Sequence, residues 1–307
     1  MTLDTLGRRK DRLAPISTGR RVYPTARDLL WFEKLQRHGP LPSSYLAAYA
    51  PGTAENTIVK RLTHLSSEDN TPHGGRYLTR PAQQFATLDA RCQQLVYDVS
   101  PRAVSALREA GQYRGTAPRT SGRCWKHDHM VACVCASIEL ATLRESDRYR
   151  YIFHDEVVAR LGRAFFNVDG IKVTPDRWGG IRYLMRGGVI LFALEADCGT
   201  EPLHSRARRK ALARNAVRYE AWITRGQYKR DLGTSGGIVV LNVTVSGQRM
   251  RNMIAAAEGS LAGGKAPYLL YAHVPGFGSV YKPPRPLLHL FTVGYARPGL
   301  SDLCLRM

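Results

Sequence analysis

The chain has 307 residues, enough for two domains and a sizeable core. Apolar residues make up 44%, close to the globular average, which excludes a mainly disordered chain, and no run approaches the ~18 apolar residues of a membrane span. Lys and Arg number 45 against 25 Asp and Glu, a formal net charge of +20, and such an excess points to a polyanionic partner, nucleic acid being the usual one.

The first 22 residues are polar and basic (Arg8, Arg9, Lys10, Arg20, Arg21) and read as a mobile arm. No apolar segment follows, so a secretory signal is not expected, and the six cysteines read as reduced thiols of a cytoplasmic protein. A helix is predicted after Thr25, with Asp28 three residues on as a capping-box partner and Gly39 as its stop. A second, shorter helix follows Pro42 with Ser43 or Ser44 as its cap, and Pro51-Gly52 breaks it. The third helix begins near Thr53 and buries Ala54, Ile58, Leu62 and Leu65. Its other face carries Asn56, Thr57, Lys60, Arg61 and His64. Asp69-Asn70, His73-Gly74-Gly75 and Tyr77-Leu78-Thr79 read as a turn and strand forming a wing. Residues 23–82 are therefore expected to be a winged helix-turn-helix that binds double-stranded DNA. Amide and basic side chains near the N-terminus of the third helix would meet base edges, while Lys60 and Arg61 would hold phosphates. The alternative is a protein-interaction module with a solvated helix face.

Residues 83–123 read as a helical connector and linker. It contains one helix with Ser100 as cap, Pro101 at its first position and Gly111 just past its end, which would pack beside the winged helix or support homodimerisation. The boundary with the second domain, 124–307, is placed in 112–123. Cys124, His127, His129, Cys133 and Cys135 match no zinc-site spacing, and Met130, Val134, Ile138 and Ala141 recur at helical spacing, so they read as part of a core helix. His127-Asp128-His129 is not the histidine pair of rolling-circle nickases, because a helix follows it and its middle residue is acidic.

Ile181–Met185 and Val189–Ala196 are apolar strands joined by Arg186-Gly187-Gly188, a hairpin. Asp176 stands before the hairpin, and Glu195 and Asp197 stand at its far end on one strand face. Three converging carboxylates would suit Mg²⁺ or Mn²⁺. In the following helix Arg206, Lys210, Arg214 and Arg218 form a stripe, within a stretch of nine basic residues and one acidic one, Glu220. Metal-ligating acids beside a phosphate-binding stripe suit phosphodiester hydrolysis. The other reading is ion pairing of the acids with neighbouring arginines and no chemistry.

Pro175-Asp176 and Glu195-Ala196-Asp197 resemble the two acidic elements of the PD-(D/E)xK nuclease-like fold. Over about residues 24–275 the chain resembles the replication-relaxation family of plasmids and other mobile elements. The matching features are the winged helix ending in Tyr77-Leu78-Thr79, His127 opening a helix, Thr174-Pro175-Asp176, and the segment from Leu194 to Glu201. A helix with Lys210 and Tyr219 follows, then Val239-Leu241-Val243, Ser246 and Arg249. The resemblance implies an α/β (α+β) protein, a winged helix-turn-helix followed by a restriction-endonuclease-type α/β domain. It also implies DNA binding in plasmid replication or transfer. Active PD-(D/E)xK enzymes carry a lysine two residues after the second acid. Here that position is Asp197, and Lys210 is the candidate replacement. Three readings follow: a DNA-binding protein with a degenerate nuclease-like domain, a Mg/Mn-dependent nuclease or nickase using Asp176, Glu195, Asp197 and Lys210, and a structural nucleic-acid-packing protein.

Overall fold

A computed structural model describes residues 16–85, 93–114, 125–199, 212–278 and 281–306. The chain divides into two compact units, Met1–Ala132 with Val280–Pro286, and Cys133–Ser279 with Leu287–Met307.

The first unit opens with α1 (Ala26–His38). Thr25 and Asp28 close the expected capping box: the Thr25 N–H donates to Asp28 Oδ2 (2.7 Å), and the Asp28 N–H donates to Thr25 Oγ (3.4 Å). The helix stops at Gly39, whose φ of 105° a β-carbon would strain. Trp31, Phe32 and Leu35 are fully buried from α1, each burial contributing about 1.5–3 kcal/mol. Next come β1 (Leu41–Pro42), α2 (Ser43–Ala48), α3 (Glu55–Ser67), β2 (Leu78–Thr79), a short 3₁₀ turn at Ala82–Phe85, β3 (Val96–Val99) and α4 (Pro101–Glu109). The three strands form an antiparallel sheet in the order β1-β3-β2, with Leu41 opposite Tyr97 and Leu78 opposite Val99.

Three features differ from the sequence reading. Neither Ser43 nor Ser44 caps α2. Pro42 stands at that position, and the early amides are satisfied from elsewhere: Ser43 N–H by the Leu95 carbonyl (2.9 Å) and Ser44 N–H by Gln94 Oε1 (3.0 Å). The partner strand of β2 is β3, which lies in the stretch expected to be connector. Residues 69–76 make the expected turns after α3, with Gly74 and Gly75 both at positive φ. Within the expected arm, residues 17–22 are tied down, Val22 N–H to the Asn70 carbonyl (3.1 Å) and Ser17 and Thr18 to Glu68. Residues 1–15 of that arm and 115–123 of the expected linker lie outside the described residues, as do Cys92 and Cys124.

The boundary between the units falls inside α5 (Trp125–Leu143). Its residues from Met130 to Thr142 are all buried, among them Cys133 and Cys135, as befits a helix apolar on every side. In the second unit there follow β4 (Tyr149–Ile152), α6 (His154–Leu161), β5 (Phe166–Val168), β6 (Ile171–Val173), β7 (Arg177–Tyr183) and β8 (Gly188–Asp197). Then come α7 (Leu212–Thr224), α8 (Gln227–Leu232), β9 (Gly237–Thr244), α9 (Gly247–Glu258), β10 (Leu269–His273), α10 (His289–Thr292), β11 (Tyr295–Arg297) and β12 (Leu300–Leu303). Seven strands form one mixed sheet, β12-β11-β10-β9-β8-β7-β4. The pairs β4–β7 and β7–β8 are antiparallel, and β8–β9 and β9–β10 are parallel.

One face of this sheet, through Trp178, Leu191, Ala193, Val240 and Leu269, shares a core with Tyr219 and Trp222 of α7 and with Met253 and Ala257 of α9. Phe166 of β5 stacks on Trp222 with ring centroids 4.0 Å apart. The hairpin expected at 181–196 is present but longer on its first side, because Gly179 and Gly180 belong to β7. The Phe192 ring lies where a β-carbon at Gly179 would be, so glycine here makes room within a strand.

Candidate functional site

The outward face of α3 is the first candidate surface. Ile58, Leu62 and Leu65 turn inward, and Asn56, Thr57, Lys60 and Thr63 are exposed, as the i, i+4 pattern demands. Arg61 does not share that freedom. Its Nη2 donates to Asp28 Oδ2 (2.6 Å) and to the Tyr23 carbonyl (2.6 Å), and the Asp28 carboxylate is fully buried. Arg61 thus neutralises the acid that caps α1, so its charge is largely spent inside the fold. His64 is held below the ordinary histidine value by partial burial and by the nearby Arg20 and Arg61 guanidinium groups.

The second candidate lies at the C-terminal end of β8. The β7–β8 hairpin brings Asp176 beside this end: its N–H donates to the Leu194 carbonyl (3.0 Å), and its Oδ2 accepts the Ala196 N–H (2.7 Å). Glu195 and Asp197, 4% and 1% exposed, leave β8 on the α7 side. Each is engaged by the protein. Tyr219 of α7 donates its hydroxyl to Glu195 Oε1 (2.7 Å). Burial, then the Glu195 carboxylate and its hydrogen bond, then Asp176, push the Tyr219 phenol well above its ordinary value, so it stays a neutral donor. Asp197 Oδ1 accepts the Gly199 N–H (3.0 Å), across a turn in which Gly199 has φ of 85°. Asp197 Oδ2 accepts both the Thr244 hydroxyl (3.0 Å) and Arg249 Nε (2.7 Å).

Arg249 lies in the first turn of α9, whose cap Ser246 accepts the Arg249 N–H (3.2 Å). A cation is ordinarily unfavourable at a helix N-terminus, and the Asp197 carboxylate offsets this. Among the described residues no group of three or more His, Cys, Asp or Glu side chains is arranged to hold a metal ion. Asp197 already accepts hydrogen bonds from Gly199, Thr244 and Arg249, the last of them charged.

Of the expected basic stripe, Arg206 and Lys210 lie outside the described residues. Arg214 and Arg218 are half-buried on α7, Arg218 donating to Asn215 Oδ1 (3.4 Å). Arg249 carries no role in the spacing argument from the acids, because its pairing with Asp197 spans 52 residues. Ser246 and Arg249 belong to the features that carry the family resemblance, which assigned Arg249 no partner. His127 is half-buried on α5 next to Asp128 (3.4 Å), and His129 is buried, donating its Nδ1–H to the Pro40 carbonyl (2.8 Å) and stacked on Trp125. Among the described residues no helix is long and apolar enough to cross a membrane. No family model matches this chain, and neither the curated proteins nor the solved structures contain a match.

Proposed function

We propose that the chain is a DNA-binding protein whose first unit is a winged helix and whose second unit is a nuclease-like platform that binds without cutting. The observation that carries this reading is the element order α1-β1-α2-α3-β2-β3 with its β1-β3-β2 sheet, which leaves Asn56, Thr57 and Lys60 outward on α3. Such a helix fits a major groove, where amide and hydroxyl side chains meet base edges and lysine meets phosphate. The net charge of +20 supplies the long-range attraction. In the second unit the antiparallel β7–β8 hairpin, followed by α7 and then by β9 parallel to β8, supports the PD-(D/E)xK-like reading. The pairing of Asp197 with Arg249 favours a silent site over a cutting one. The resemblance to the replication-relaxation family adds the setting, control of replication or transfer of a plasmid or other mobile element.

Fluorescence anisotropy with a labelled duplex across a salt series tests the binding. The expected result is affinity that falls steeply with salt and that Asn56→Ala and Lys60→Ala both weaken, Asn56→Ala with a loss of sequence selectivity. Supercoiled plasmid with Mn²⁺ tests the chemistry. No nicking is expected, whereas nicking abolished by both Asp176→Ala and Glu195→Ala would establish a metal-dependent nuclease.

A further inference from the structure

Residues 16–23 run along the C-terminal half of α3, and α3 and the turn after it grip them at several points. Glu68, only 3% exposed, takes most of the load. Its Oε2 accepts the Thr18 N–H (2.9 Å), its Oε1 accepts the Thr18 hydroxyl (2.8 Å), and the Arg20 amide also bonds to it. Ser17 Oγ lies within hydrogen-bond reach of both Glu68 Oε2 (3.0 Å) and Asp69 Oδ1 (2.8 Å). Further along, Asn70 Nδ2 donates to the Gly19 carbonyl (3.2 Å) and the Asn70 carbonyl accepts the Val22 N–H (3.1 Å). Arg61 then holds the Tyr23 carbonyl (2.6 Å). The strap is thus fixed at both ends and in the middle.

The strap changes what α3 presents. Its anchoring groups are hydroxyls and amides, so Glu68 and Asn70 are used up internally. Its outward side chains include Ile16, 65% exposed, Tyr23, 53% exposed, and the exposed Arg20 and Arg21. The Arg21 guanidinium sits 5.1 Å over the Tyr23 ring, which holds it in a defined place. Among the described residues neither arginine makes an ion pair. A buried acid therefore fastens an extended segment whose only exposed charges are positive, next to the exposed polar face of α3.

We propose that this strap is a second DNA contact of the first unit, with Arg20 and Arg21 binding backbone phosphates beside the groove that α3 enters. The proposal rests on the reading of the first unit as the DNA-binding part. Extended basic segments adjoining a recognition helix contribute sequence-independent affinity through phosphates, and holding this one in place beforehand lowers the ordering cost of binding. Arg20 and Arg21 thereby do the phosphate work that Arg61, turned inward to Asp28, does not.

The test is the salt dependence of binding to a short random-sequence duplex, for wild type, R20Q/R21Q, R20K/R21K and N56A/K60A. Each phosphate contact adds ~0.9 to the log–log slope, so R20Q/R21Q is expected to lower the slope by about 1.8. R20K/R21K, which keeps both charges, is expected to retain the wild-type slope, and the melting temperature is expected to be unchanged in both. An unaltered slope in R20Q/R21Q, with binding still weakened by N56A/K60A, would overturn the strap contact and leave the reading of α3 intact. Absence of duplex binding by the wild-type chain would overturn both.

Discussion

The Asp197 carboxylate shows how much of this molecule is decided by single buried charges. It is 1% exposed and depends on Arg249, Thr244 and Gly199 for compensation. Removing the cation alone leaves a buried charge without its ion-pair partner. Arg249→Ala is therefore expected to destabilise the protein by about 3 kcal/mol in urea unfolding, and Asp197→Asn in that background to recover much of the loss. Equal losses in the double and single variants would mean that Arg249 stabilises through packing instead. Two histidines give a pH signature. Burial, followed by the nearby Arg177 charge, lowers His154 to about 4, and burial lowers His129 to about 4. The unfolded chain protonates these imidazoles near pH 6.5 while the fold keeps them neutral, so stability is full above about 6.5 and is lost as pH falls toward 4. In His154→Gln the new amide oxygen can still accept the Trp178 N–H that His154 Nδ1 accepts now (3.1 Å). Melting temperatures between pH 7 and about 4.5 are expected to fall less steeply in that variant than in wild type.

At the scale of elements, the strand β7 carries a sharp steric demand. Gly179 lies under the ring of Phe192, which is fully buried. Gly179→Ala is expected to destabilise by about 1–3 kcal/mol through overpacking, measured by chemical denaturation, and an unchanged midpoint would show that the ring can move aside. The same glycines explain why the strand was legible only in part. In a sequence Gly179-Gly180 reads as a break, and only the partner strand reveals that the space is filled from across the sheet. The helices α1 and α4 were legible because their caps, Thr25 with Asp28 and Ser100 with Pro101, act within one turn of chain. The hairpin β5–β6 was not read from the sequence, although its two turn residues, Asp169-Gly170, have the positive φ that a tight primed turn requires. The strand β3 was not legible, since four residues acquire their meaning only by pairing with β1 and β2. The shared face of Glu195 and Asp197 followed from strand alternation, and the return of Asp176 to that end from the hairpin, whereas the inward turn of Arg61 and the pairing of Asp197 with Arg249 depend on contacts 33 and 52 residues apart. Glu68 adds a pH-sensitive fastening. Burial pushes its carboxyl up, but the hydrogen bonds from Thr18, Ser17 and the Arg20 amide outweigh this and hold it below the ordinary glutamate value. Its stabilisation is thus present above the unfolded-state pKa and is lost as pH falls through the lowered folded value. Amide protection factors in residues 18–22, taken relative to the intrinsic rate at each pH, are expected to be high at neutral pH and to fall in strong acid before those of α3.

For the whole molecule, the excess of positive charge is the property that organises the rest. A chain so basic repels itself, and a polyanion that binds the folded state relieves the repulsion and stabilises that state by mass action. The central claim is that the first unit meets this polyanion through α3 and its strap. Photo-crosslinking of the full chain to a duplex, followed by peptide mapping, tests it most directly. The account places the crosslinked peptides within residues 20–23 and 53–64, with losses at those positions in N56A/K60A. Crosslinks confined to the second unit, with none between residues 16 and 67, would contradict it.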